Sequence, residues 1–208
     1  MDLIFLVVKL NNITPTRSIK MFTIIRTVIT SILILATFVS PVSYSASTLS
    51  GSKTINLIAK DGQRIAIGTI EFSPSAEKIK YQLHMDHTRF KDYFLSMKEM
   101  KCLEGPELWC HIRYPYPQPR TITSDDLRWL EHDLLFMFKK SNEFGANFWN
   151  GVYYSMTIKE GVIVGEAQAI DLNLLSAPPE DLDTPFYSEE LRDEIERVQR
   201  WLPDIEIR

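Results

Sequence analysis

The sequence is short of the motifs from which an activity is usually read. Its eight glycines are scattered singly, so no glycine-rich loop is present to cradle a phosphate. No G-x-S-x-G occurs, which removes the nucleophile turn of α/β hydrolases. S-x-x-K appears twice, as Ser50 with Lys53 and Ser75 with Lys78, but without an S-D-N or K-T-G element, and both read as chance matches. There is no H-E-x-x-H, and the two cysteines are spaced too widely for a two-residue redox motif. A fixed-period repeat and low-complexity tracts are absent too, which argues against a solenoid. No apolar run reaches the roughly 20 residues that a membrane-spanning helix needs.

What is present suits one packed domain: 45% hydrophobic, 11% aromatic and 24% charged residues. The averages conceal a distinct N-terminal segment. Arg26 precedes an apolar run from Val28 to Val39, and Ser43 and Ser45 stand at −3 and −1 of a cut before Ala46. Charge, short apolar stretch and small-residue site read as a secretory signal peptide. Residues 1–45 are therefore expected to be a leader and 46–208 a single mature domain. Met21 is the preferred start, because a second apolar patch, Leu3 to Val8, precedes it; the alternative is a long two-part leader. No cysteine follows the run closely, which argues against a lipid anchor, and no membrane insertion is expected after processing.

Loss of the leader removes Lys9, Arg17, Lys20 and Arg26 but only Asp2, so the net charge moves from −4 to −7. Without a basic cluster, such a chain is not expected to bind nucleic acid or an anionic membrane. Residues 177–208 carry ten acids against four arginines, which accounts for −6 of that charge. The last stretch reads as a C-terminal helix capped by Ser188, with Leu191, Ile195, Val198 and Leu202 on its docked face.

Cys102 and Cys110 flank Gly105-Pro106, and in an exported chain this pair reads as a disulfide closing a nine-residue loop. Their C-x₇-C spacing matches no standard zinc motif. Asp61-Gly62 and Glu160-Gly161 each separate two apolar-rich runs and predict hairpins. In the run after Asp61-Gly62, Ile65 and Ile67 share one parity and Ile70 and Phe72 the other, which a bulge near Gly68 would reconcile. Ile79, Tyr81, Leu83 and Met85 alternate with polar residues and predict a half-buried strand, while Phe90 to Met100 is ambiguous. Trp109 to Tyr114 reads as extended, and Pro115, Pro117 and Pro119 mark a polyproline-like connector. Thr123-Ser124-Asp125-Asp126 starts a short helix through Leu127 and Leu130 to about Asp133, and Leu134 to Lys139 either continues it or forms a strand. The expected class is α+β: a mainly antiparallel sheet, curved, barrel-like or sandwiched, with a short central helix and a C-terminal helix.

Four histidines, His84, His87, His111 and His132, are the natural candidates for chemistry. A metal would need three or four ligands to converge, for example His84, Asp86, His111 and Glu131, and no spacing in the sequence demands it. We read them as surface histidines and expect no metal and no cofactor. Nineteen of the 23 aromatics lie beyond residue 45. Tyr81, Trp109, Tyr114, Trp149 and Tyr154 are the candidates for lining a ligand pocket, against the simpler reading that they form core.

The stretch from Phe94 to Tyr116, FLSMKEMKCLEGPELWCHIRYPY, resembles uncharacterised exported bacterial proteins. The resemblance implies a periplasmic or secreted setting and supplies no activity. The leading expectation is a non-enzymatic exported domain that binds a small amphiphilic ligand or an envelope protein. The rival is a periplasmic hydrolase or metal-dependent enzyme using His84, His111 and nearby carboxylates. A purely structural envelope protein, the third reading, predicts no pocket.

Overall fold

The computed structural model describes residues 49–95 and 98–208. The leader over 1–45, the start at Met21 and the cut before Ala46 lie outside the described residues.

Asp61-Gly62 turns the chain between β1 (Gly51–Ile58) and β2 (Arg64–Pro74). Gly62 takes φ +86°, a conformation glycine adopts without penalty, and Asp61 Oδ1 accepts from the Gln63 amide at 3.0 Å. Ile55 pairs with Gly68 but Asn56 with Ala66, so Ile67 is an extra residue in β2. This bulge lets Ile67, Ile70 and Phe72 all be buried despite their mixed parity. The alternating run becomes β3 (Ile79–Met85), and the ambiguous stretch resolves into β4 (Lys91–Leu95) and β5 (Lys98–Glu104). β6 (Leu108–Ile112) returns along β5, with Cys102 opposite Cys110 and the two sulfurs 2.05 Å apart.

Residues 113–120, with their three prolines, hold no regular element and lead from β6 to β7 (Thr121–Ile122), which pairs with β3. The central helix, α1, is Arg128–Asp133, and Leu134 turns into β8 (Leu135–Lys139) rather than prolonging it. Its first amide is met by Asp126, whose Oδ1 accepts from Arg128 N at 3.1 Å. The second hairpin is β9 (Gly151–Lys159) and β10 (Val162–Ile170), turned by Glu160 and Gly161, both at positive φ.

The expected C-terminal helix is not formed. Residues 188–200 contain two single 3₁₀ turns around a two-residue strand, β11 (Asp193–Glu194), and the chain ends in β12 (Asp204–Ile207). Leu191, Ile195, Val198 and Leu202 do fall at helical spacing, yet Val198 is 80% exposed while Leu202 is buried, so no common face exists. The competing demand comes from β10, whose free edge takes β12 along Ile163–Glu166 and β11 at Gln168 and Ala169. Satisfying those backbone groups outweighs a helical preference of tenths of a kcal/mol per residue.

All pairings are antiparallel, and the strands form one twelve-stranded sheet in the order β4-β5-β6-β8-β9-β10-β12-β1-β2-β3-β7, with β11 beside β10. A sandwich of two sheets is therefore not what forms. Through the register, Leu83, Ile70, Ile55, Ile207, Ile163, Tyr154, Phe136 and Trp109 share one face, and all but half-buried Leu83 are fully or almost fully buried. The sheet curls around that face without closing: six strands lie between β6 and β3 in the order, yet both line one cleft.

The disulfide hairpin is tied to the C-terminal segment. Glu107 accepts from the Trp201 amide at 2.9 Å and meets Arg200 at 3.0 Å, and the Trp201 ring stands where a Cβ on Gly105 would be. Closure of a nine-residue loop removes unfolded-chain entropy worth about 2.5 kcal/mol. Replacing both cysteines by alanine is expected to lower the melting temperature by about 5–10 °C for a domain of this size. Calorimetry of the two proteins side by side decides; an unchanged transition would remove the cystine from the account of stability.

Candidate functional site

α1 is six residues long, and Glu131, His132 and Asp133 are all buried on it. Three consecutive polar side chains cannot share one side of a helix, so each meets a different element. Glu131 accepts from the Tyr153 hydroxyl and, at 2.5 Å, from the Met156 amide of β9. Burial raises its pKa from the usual carboxyl range, against the pull of those two donors.

His132 is fully buried among Tyr114, Trp129, Tyr153 and Tyr187. Its Nδ1 lies 2.7 Å from Arg128 O and its Nε2 accepts from the Tyr187 amide at 3.0 Å. A carbonyl can only accept and an amide N–H only donate, so the ring is the neutral tautomer protonated at Nδ1. Both nitrogens are engaged with backbone, which makes His132 a latch for the 185–188 segment rather than a proton carrier. Burial pushes its pKa down to about 4.

Asp133 points to the other side. Its Oδ2 accepts from the Tyr81 hydroxyl at 2.9 Å, and the Arg120 guanidinium lies 3.9 Å away. Burial raises the Asp133 pKa, with the Tyr81 bond and Arg120 pulling it down. The Tyr81 hydroxyl is pushed well above its ordinary value by burial and by the adjacent carboxylate. His111 Nε2 donates to the Asp133 carbonyl at 3.0 Å, and burial lowers the pKa of that ring.

This polar cluster borders a cleft of about 520 Å³ at the seam between β3 and β5–β6. Leu83, Met85, Met100, Ile112 and Phe148 give it an apolar lining. Its polar residues are His87, His111, Glu99 and Asp133 together with four cations, Lys98, Lys101, Arg113 and Arg120. The cations arrive from two sources. Lys98 and Lys101 belong to β5, while Arg113 and Arg120 stand at the two ends of the proline-bearing connector. Arg120 has φ +50°, a left-handed conformation unfavourable for a residue that carries a Cβ, and its carbonyl accepts from the Tyr81 amide at 3.1 Å. Strain of that kind on a non-glycine residue gathers where a side chain must be aimed.

The residues anticipated from the sequence are dispersed. Tyr81, Trp109, Tyr114 and Tyr154 are buried, and Trp149 is 71% exposed on the β8–β9 loop. None of the five lines the seam cleft, although Tyr81 bonds to Asp133 at its border and Phe148, next to Trp149, lines it. The Tyr154 hydroxyl donates to Leu202 O at 2.8 Å, and Tyr114 stands edge-on to His132. His84 is exposed on β3 and is not in the cleft, whereas His111 is; Asp86 caps a 3₁₀ turn by accepting from Thr88. Among the described residues no three His, Cys, Asp or Glu side chains gather to hold a metal. Surface placement holds for His84 and His87 but not for His111 and His132. Arg113, Arg120, Asp133 and Met100 were not anticipated, because only the long-range fold brings the connector beside β5.

No protein-family model, curated protein or solved structure matches the chain. The fold and cleft therefore stand on their own geometry.

The depressed pKa of His132 makes stability depend on pH with a definite sign. The unfolded ring takes a proton near pH 6.5 and the folded ring only near pH 4, so its contribution is complete above 6.5 and is lost as pH falls towards 4. The loss is on the order of 3 kcal/mol. Glu131 and Asp133, with raised pKa values, act in the opposite sense: folding is weakened as pH rises through their own windows. Urea unfolding between pH 7 and 4.5 should show His132→Asn less stable at pH 7 but with a flatter acid slope. Equal slopes in the two proteins would mean that another group governs the window.

Proposed function

We propose that residues 46–208 form an exported, non-enzymatic binding domain that holds a small amphiphilic ligand in the seam cleft. The observation that carries this reading is the lining itself. Five apolar side chains and a set of charged ones converge on one concavity of a size typical for small-ligand sites. The strained Arg120 beside it adds a residue placed at a conformational cost. An exported location is supported by the leader-like N-terminal sequence and by the cystine, a bond kept in oxidising compartments. No helix among the described residues is long and apolar enough to cross a membrane.

Catalysis finds less support. His132 has both nitrogens bound to backbone, and Glu131 is taken up by Tyr153 and Met156. The rival enzyme reading needs His84 and His111 to work together, and only His111 lines the cleft.

The neutral fluorescent probe N-phenyl-1-naphthylamine provides a direct test. The mature protein should bind it saturably, and Met85→Asp or Ile112→Asp should weaken binding about tenfold, each placing a charge on the apolar lining at a half-buried position. Near-UV circular dichroism verifies that the variants are folded. Non-saturable emission, or folded variants that bind as the parent does, would remove the cleft as the binding site.

A further inference from the structure

We infer that the seam cleft selects a single-chain amphiphile with an anionic head group, a reading that rests on the cleft being the ligand site proposed above. The cleft is net positive in a chain whose acid excess lies almost wholly in residues 177–208. From residue 46 onward the chain is at −7, yet the cleft carries Lys98, Lys101, Arg113 and Arg120 against Glu99 and Asp133. Two of these cations already have partners: Lys101 pairs with Asp92, and Arg120 lies 3.9 Å from Asp133. The side chains of Lys98 and Arg113 form no ion pair or hydrogen bond among the described residues. Arg113 acts on the Asp133 carboxylate through its field but without an ion pair, so both cations keep their donors for something else to meet.

Their placement decides which ligand. Arg113 follows Ile112, and Lys98 lies two residues before Met100 on β5, and all four line the cleft. A head group held by Arg113 and Lys98 would leave its chain to lie on Met100, Ile112, Phe148, Leu83 and Met85. A guanidinium offers paired donors that suit a carboxylate or a phosphate ester equally well, and the anionic head is the chemistry these two share.

Isothermal titration of the oxidised mature protein with four submicellar C12 ligands tests this: dodecanoate, monododecyl phosphate, dodecanol and dodecyltrimethylammonium. Dodecanoate or the phosphate ester should bind at least about tenfold more tightly than dodecanol, and the ammonium weakest. The preferred one of the two anions identifies the head group. The double variant Lys98→Gln/Arg113→Gln should lose that preference while keeping the affinity for dodecanol, and added salt should weaken only the anions. Equal binding of dodecanoate, dodecanol and the ammonium would overturn the inference and leave the binding cleft standing. An unaltered anion preference in the double variant would overturn it too. Failure of all four ligands to bind would end both proposals together.

Discussion

Strand β12 is the piece on which the rest of the sheet depends. It lies between β1 and β10, and among the described residues no other strand joins β1, β2, β3 and β7 to the group that runs from β4 to β10. Ile205 and Ile207 turn inward from it, with almost no exposed surface, and Glu206 on the other face meets Arg64 at 3.3 Å and Arg208 at 2.9 Å. Remove those four residues and two smaller sheets would remain, each with an unpaired edge and a half-covered apolar face. The preceding segment is secured accordingly: Tyr154 donates to Leu202 O, Lys60 N to Trp201 O, and Glu107 accepts from Trp201 N.

With β12 in place the sheet is long enough to curl but does not close, and the cleft is what the missing closure leaves behind. The chain crosses that gap as the connector from Arg113 to Arg120. Its three prolines cannot supply the amides a ladder would need, so it lies over the seam without sealing it by strand pairing. Tyr116 fastens it by donating to Leu175 O at 2.6 Å, and the Gln118 side chain lies 3.2 Å from the Tyr81 hydroxyl. The same local chemistry therefore keeps the sheet open and delivers two arginines to the opening.

Much of the antiparallel architecture was legible because its signals are local. Asp61-Gly62 and Glu160-Gly161 fix their hairpins within four residues, the alternation from Ile79 to Met85 marks a strand, and the parity break after Ile67 announces a bulge. The expected C-terminal helix fails because its signal, too, is local. Leu191, Ile195, Val198 and Leu202 satisfy a local pattern, while the need that overrode it belongs to the edge of β10, more than twenty residues earlier. The burial of Glu131, His132 and Asp133 was hidden likewise. A polar triplet on a leucine-bearing helix looks like a solvated side until Tyr81, Met156 and Tyr187 are brought to it from three other parts of the chain. The cleft shares this property, since Lys98 and Arg113 come to it from different elements.

The place of β12 in the chain makes its pairing with β1 the most distant contact of the sheet. Ile55 meets Ile207 and Leu57 meets Ile205, pairings that join the first described strand to the last. Hairpins such as β1–β2 and β9–β10 close loops of a few residues and form early, whereas joining the two halves requires closure of a loop nearly as long as the domain. Without β12 the remaining strands form two separate groups, each with an unpaired edge. Until β12 pairs, both halves keep unpaired strand edges and uncovered apolar surface, the features that make an incomplete fold prone to aggregate.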